Sequence, residues 1–147
     1  MAIRPFPLLG LAYLAAVSSG LFADRFASHA HRHQAALMAD TRGARTNFTD
    51  EKDAWVCAQK SLEELRKLEK AKRLCRSAVP AESLIRSLDF LKSALGASSP
   101  AEGARFDRAI QEARSYRETA LQLDAEGAPG RQAALRKAID VLPRPSP

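Results

Sequence analysis

The sequence predicts an all-α protein: an N-terminal single transmembrane (or signal-like) helix followed by a small antiparallel bundle of three to four amphipathic helices. Three observations carry this. A charge-free run, PFPLLGLAYLAAVSSGLFA, fills residues 5–23 between Arg4 and Asp24. Beyond residue 48, apolar residues recur at spacings of three and four. No segment alternates apolar and polar residues as a half-buried strand does. The chain divides into a short flank (1–4), the apolar run (5–23), a basic connector (24–48), a helical domain (49–142) and a Pro-rich tail (143–147). About 100 residues remain after the connector, enough for one small helical core.

The apolar run admits three fates. As a membrane span it just meets the length needed, about 17–20 residues. Gly10, Ser18, Ser19 and Gly20 dilute its Leu, Ala and Phe, and small residues suit packing against another membrane helix. Tyr13 within the run needs a hydrogen-bond partner in lipid, which also favours a neighbouring subunit. Pro5 and Pro7 suit a first helical turn. As a cleaved export signal, the run has an n-region at Arg4, an h-region over Leu8–Val17, and small residues Ser18 and Gly20 before a cut. Against export, Arg25, Arg32, Arg42 and Arg45 follow the run and only Arg4 precedes it. Positive charge resists translocation, so the C-terminal side is expected on the cytoplasmic or matrix face. As a transit peptide, residues 1–48 have the right bias, with five Arg, no Lys and two acids. The retained anchor is the favoured fate.

The net charge is +6 and its excess sits beside the apolar run. Residues 1–48 carry five basic and two acidic groups, residues 49–79 eight and six, and residues 80–147 ten and nine. The arginines flanking the run, Arg25, Arg32, Arg42 and Arg45, are expected to meet anionic lipid headgroups. The body reads as a mixed-charge surface with no basic face, and no nucleic-acid motif occurs. His29, His31 and His33 form HAHRH in the connector. On a helix His29 and His33 share a face and could hold Zn or Cu weakly, but no carboxylate or thiolate completes the set. A polar flank at headgroup level is the simpler account. Asn47–Phe48–Thr49 matches a glycosylation acceptor, which matters only in a secretory lumen. Helical pattern from Phe26 to Met38 is expected to end at Thr41–Arg42–Gly43.

The first domain helix is expected over about 50–78. Thr49 or Asp50 can cap it, and Asp50, Glu51 and Asp53 suit its positive end. Its stripe is Trp55, Ala58, Leu62, Leu65, Leu68, Ala71 and Cys75. Glu63–Lys67 and Glu69–Arg73 are i,i+4 pairs in the favourable order. The second helix is expected over 80–95, from Pro80 to Leu95 before Gly96, with Leu84, Leu88, Leu91 and Leu95 on one face. The third, over 100–126, opens on Ser99-Pro100-Ala101-Glu102, a capping box with Pro in the first turn. Its face is Phe106, Ile110, Ala113, Ala120 and Leu121. The fourth, over 129–142, buries Leu135, Ala138, Ile139 and Leu142. Pro143, Pro145 and Pro147 forbid more helix. Short connections imply antiparallel neighbours.

Cys57 and Cys75 both fall in the first predicted helix, about 27 Å apart by helical rise. A disulfide needs Cα atoms within about 7 Å, so they cannot pair unless the helix breaks near Lys70–Lys72. Catalytic signatures are absent: no GxSxG elbow, no Walker loop, no HExxH, and every histidine lies in the connector, away from the cysteines. No enzyme activity, cofactor, nucleic acid or small-molecule substrate is expected. Trp55, Leu62, Leu65 and Leu68 are the candidate partner interface, since Trp is enriched at such surfaces. The expected function is a structural accessory or assembly subunit of a larger membrane complex, of respiratory-chain or ATP-synthase type, with the mitochondrial inner membrane slightly favoured. The alternative is an exported soluble helical binding protein with a weak metal site at its histidines.

Overall fold

The structure is a computed structural model and describes residues 41–146. The apolar run, His29, His31, His33, Arg25 and Arg32 lie outside the described residues. Among the described residues there are four α-helices and no strand. They are α1 (Glu51–Lys70), α2 (Ala78–Leu95), α3 (Pro100–Leu121) and α4 (Gly127–Asp140), with short 3-10 turns at Leu74–Arg76 and Gly96–Ser98. None of them is long and apolar enough to cross a membrane.

Each helix start follows from local chemistry. Asp50 is extended (φ −157°) and its carboxylate accepts from the Asp53 amide at 2.7 Å, capping α1. Asp53 in turn accepts from the Thr49 amide at 3.1 Å. Ser99 caps α3 as expected, its hydroxyl accepting from the Glu102 amide at 3.2 Å with Pro100 in the first turn. The Asp124 carboxylate accepts from the Glu126 and Gly127 amides ahead of α4. A Cβ on Gly127 would lie 2.2 Å from that carboxylate, so a larger residue there would push the Asp124 side chain off its cap position. Helices α2 and α4 begin two residues before Pro80 and Pro129, which a first turn tolerates because its N–H groups have no intrahelical partner.

Two helix ends differ from expectation. Helix α1 stops at Lys70, not near residue 78. The Arg73 amide bonds back to Leu68 O at 2.8 Å and the Lys72 amide to Glu69 O at 2.9 Å. With Lys72 at φ 55°, this is a Schellman turn carrying lysine where glycine is usual. The cause lies in helical phase. At 100° per residue, Leu74 would emerge about 180° from the fully buried Leu65 on a continuous helix. Breaking the helix returns Leu74 to the core, where it is 7 % exposed, and leaves Ala71, expected in the stripe, in solvent. Cys57 and Cys75 therefore sit in separate elements, the former buried and the latter half-buried, and both thiols are free. Helix α3 ends the same way: Asp124 N bonds to Thr119 O and Leu123 N to Ala120 O, with Leu123 at φ 56°. It stops at Leu121 instead of residue 126.

Helix α2 is the middle of the bundle. It packs on α1 and on α3, and α4 packs on α3 and closes back on α1 only narrowly. Leu65, Leu84, Leu88, Leu91, Phe106, Tyr116, Leu135 and Ile139 are fully buried. Two ion pairs between α2 and α3 follow their antiparallel order. Glu82, early in α2, takes Arg117, late in α3, at 2.9 Å and its own neighbour Arg86 at 2.8 Å. Lys92, late in α2, meets Asp107, early in α3, at 2.6 Å. The α2–α3 turn is tight: a Cβ on Gly96 would stand 3.3 Å from the Phe106 ring and 3.4 Å from Gly103 Cα.

A strap of extended chain precedes α1. The Arg45 amide donates to Ser83 Oγ at 3.0 Å, and the Phe48 ring lies 5.5 Å from the Phe90 ring. The strap thus runs along α2 from its second turn towards its fourth before α1 turns back.

Lys72 is exposed and pays the left-handed backbone cost without packing in return. Lys72→Gly is expected to raise the unfolding free energy by about 0.5–1 kcal/mol. Urea denaturation followed by circular dichroism measures it, and a loss of stability would refute the assignment of strain to this residue.

Candidate functional site

The weakest closure of the bundle, between α1 and α4, leaves a groove. Its lower part, about 130 Å³, is lined by Gln59, Leu62 and Arg66 of α1 and by Gln132, Arg136 and Asp140 of α4. An adjoining cleft of about 290 Å³ is lined by Trp55, Gln59, Ile139, Asp140 and Arg144. Early α1 residues face late α4 residues, so these two helices are also antiparallel. Trp55 and Leu62 are half-buried against the core and supply the apolar floor. Gln59, Arg136, Asp140 and Arg144 are exposed at the rim. Beside Trp55, Val56 is 47 % exposed.

The groove receives some of the residues singled out from sequence and not others. Trp55 and Leu62 line it. Leu65 is fully buried in this chain's own core, so it offers no surface to a partner in this fold. Leu68 is half-buried and lines neither cleft. The α4 side was not anticipated. Gln132, Arg136, Ile139 and Asp140 follow the spacings of four, three and one that put residues on one helical face, and that pattern was the available signal. Arg42 lies on the Thr41–Ala44 turn. Arg45, expected at lipid headgroups, is engaged within the chain. Its guanidinium pairs with Asp53 at 2.5 Å, donates to Asn47 O at 3.3 Å and lies 5.5 Å from the Phe48 ring centre. The Thr49 amide first, and then Arg45, hold the Asp53 carboxyl below its ordinary value against the opposing effect of desolvation.

At the α1 end of the groove the polar groups turn inward. Oriented to satisfy both its ends, the Gln132 amide donates to Glu69 Oε2 at 3.3 Å. Burial pushes the Glu69 carboxyl up. Tyr116 lies behind, fully buried. Burial chiefly, and the Glu69 charge next, push its phenol up to about 12, with the Ser77 hydroxyl pulling slightly the other way. Neither the Tyr116 nor the Ser77 hydroxyl makes a hydrogen bond of standard geometry among the described residues. No group of three or more His, Cys, Asp or Glu among the described residues is placed to hold a metal ion. The groove joins amide, guanidinium and carboxylate groups to a Trp–Leu floor. Hydrogen-bonding groups around an apolar floor are the composition that protein interfaces share.

No protein-family model, curated protein or solved structure matches this chain.

The phenol holds its proton more tightly in the folded chain than in the unfolded one. Its contribution to stability is therefore complete below pH about 10 and is lost as pH rises to about 12. Tyr116→Phe is expected to change stability by no more than about 1 kcal/mol at neutral pH, since the hydroxyl lacks a good partner. Above pH 10 the parent should lose stability faster than the variant. Denaturation curves of the two proteins from pH 8 to 12 test this, and parallel pH profiles would contradict it.

Proposed function

We propose that this chain is a non-catalytic docking subunit held at a membrane by its apolar N-terminal run. Its helical domain offers the α1–α4 groove to another subunit of a larger membrane complex. The observation that carries the docking role is the incomplete closure of α4 on α1, which leaves Trp55 and Leu62 as a half-covered apolar floor with a polar rim. A half-buried Trp beside a polar rim is an arrangement in which one side chain can dominate an interface. The mixed rim, with Arg66, Arg136 and Arg144 beside Glu63 and Asp140, fits an amphipathic helix that is itself mixed in charge. The anchor role is supported by the sequence, through the length of the 5–23 run and the arginines that follow it. A respiratory-chain or ATP-synthase assembly is the first host to examine.

The full chain, purified from its native membranes in mild detergent, is expected to retain its apolar run and a stoichiometric set of membrane subunits, both read by mass spectrometry. Trp55→Ala is expected to lower partner recovery about tenfold or more, while Lys137→Ala, away from the groove, leaves it unchanged. A monodisperse monomer in the soluble fraction, beginning near residues 20–25, would overturn the proposal in favour of an exported helical protein.

A further inference from the structure

Five cations gather where α1 gives way to α2: Lys67, Lys70, Lys72, Arg73 and Arg76. All five are exposed, and none forms an ion pair with a described residue. Glu69 is the sole acid between residues 67 and 81, and it is half-buried with Gln132 donating to it. The α3–α4 loop brings Asp124 and Glu126 to the same end of the bundle. The Asp124 carboxylate is occupied by two backbone amides. The body therefore has a basic end, although its sequence reads as mixed charge throughout. The charges of α1 are segregated along its length, with acids in the first turn and lysines in the last. The break at Lys72 adds two arginines to the basic end.

The shape of this end matters as much as its charge. The Schellman turn sends the chain around a corner, and all five side chains stand in solvent. They line none of the described clefts. A second, independent observation concerns the route of the chain. The strap is pinned at Arg45 by Ser83, five residues into α2, about 7 Å along a helix about 27 Å long. The connector thus joins the bundle on the half that carries the basic end.

We propose that the basic end of the bundle rests on an anionic bilayer surface, with its cations against the headgroups. This rests on reading residues 5–23 as membrane-embedded. Juxtamembrane cations are attracted to anionic leaflets within about a Debye length, and exposed long side chains outside any cleft can reach a flat charged sheet together. Nucleic acid fits less well, since no aromatic residue lies among residues 67–76 to stack on bases. An acidic protein fits less well too. Such interfaces centre on an apolar anchor, and the apolar residues interleaved with these cations are the buried Leu74, the half-buried Leu68 and Cys75, and Ala71. The connector imposes no obstacle, because residues 24–44 can span up to about 70 Å when extended.

The test uses the full chain reconstituted in nanodiscs, either neutral phosphatidylcholine or with about 30 % phosphatidylserine. Lysine acetylation rates are read by mass spectrometry. Lys67, Lys70 and Lys72 are expected to react about threefold or more slowly in anionic discs, with Lys52 and Lys137 unchanged. The protection should vanish at about 0.5 M salt. Lys70→Glu, Lys72→Glu and Arg73→Glu together, all on the exposed corner, should abolish it at Lys67. Equal rates in the two discs, or slowing spread evenly over Lys52 and Lys137, overturn the proposal. So does slowing that duplex DNA or polyglutamate produces and anionic discs do not. If the chain fails to enter discs, the anchor reading fails on its own. The same footprint with anionic vesicles mixed in at low salt then decides on the basic end.

Discussion

Enclosure of α2 is the constraint on which the other elements depend. Through its first three turns this helix is buried nearly all round, on Leu84, Ile85 and Leu88 but also on Ser83 and Ser87. A helix surrounded in this way cannot leave its polar groups to water, and each is met locally. Ser87 bonds back to Ser83 O at 2.7 Å, Ser83 receives the Arg45 amide, and Glu82 takes two arginines. Two of these bonds reach outside the helix, one to the strap and one to α3. A buried carboxylate is expensive unless fully paired, so the Glu82 site ties α3 to α2 in one register. Helix α4 then has only α3 to pack on fully, and the groove against α1 is the residue of that arrangement.

The sequence declares helix starts more plainly than helix ends. Starts depend on side-chain chemistry that is written in the residues: Asp50, and the Ser99–Glu102 box. Ends in this chain depend on backbone geometry at Lys72 and Leu123, residues with no intrinsic preference for the left-handed region. At both places the missing glycine hides the turn. Packing favours both turns, since they return Leu74 to the core and set Leu123 against it. The clue at the first was phase: Leu74 falls out of step with Leu65, whereas Ala71 and Cys75 appear in step and mislead. The core stripes of α2 and α3 were legible because they keep their period through the buried face, except at the end of α3, where Leu121 was expected inside and is exposed.

The candidate site was half legible for a related reason. Trp55 and Leu62 belong to the apolar stripe, and any reading of α1 finds them. Whether such a residue faces the core or a groove depends on how closely the last helix returns to the first, which no local pattern records. Leu65, one turn from Leu62, is sealed by the same packing that leaves Leu62 half-covered. The groove's polar side is spread over α4 and the tail, and it becomes a unit only when antiparallel packing brings Gln132 and Arg136 opposite Leu62 and Arg66.

The strap before α1 also has a mechanical side. It lies lengthwise on α2, held by the Arg45–Ser83 hydrogen bond, the Arg45–Asp53 pair and the Phe48–Phe90 contact. Tension arriving along the chain ahead of residue 45 would meet these contacts before reaching the cap at Asp50. The strap thus places three contacts between the preceding chain and the first turn of α1, so a disturbance there reaches the bundle at α2 first.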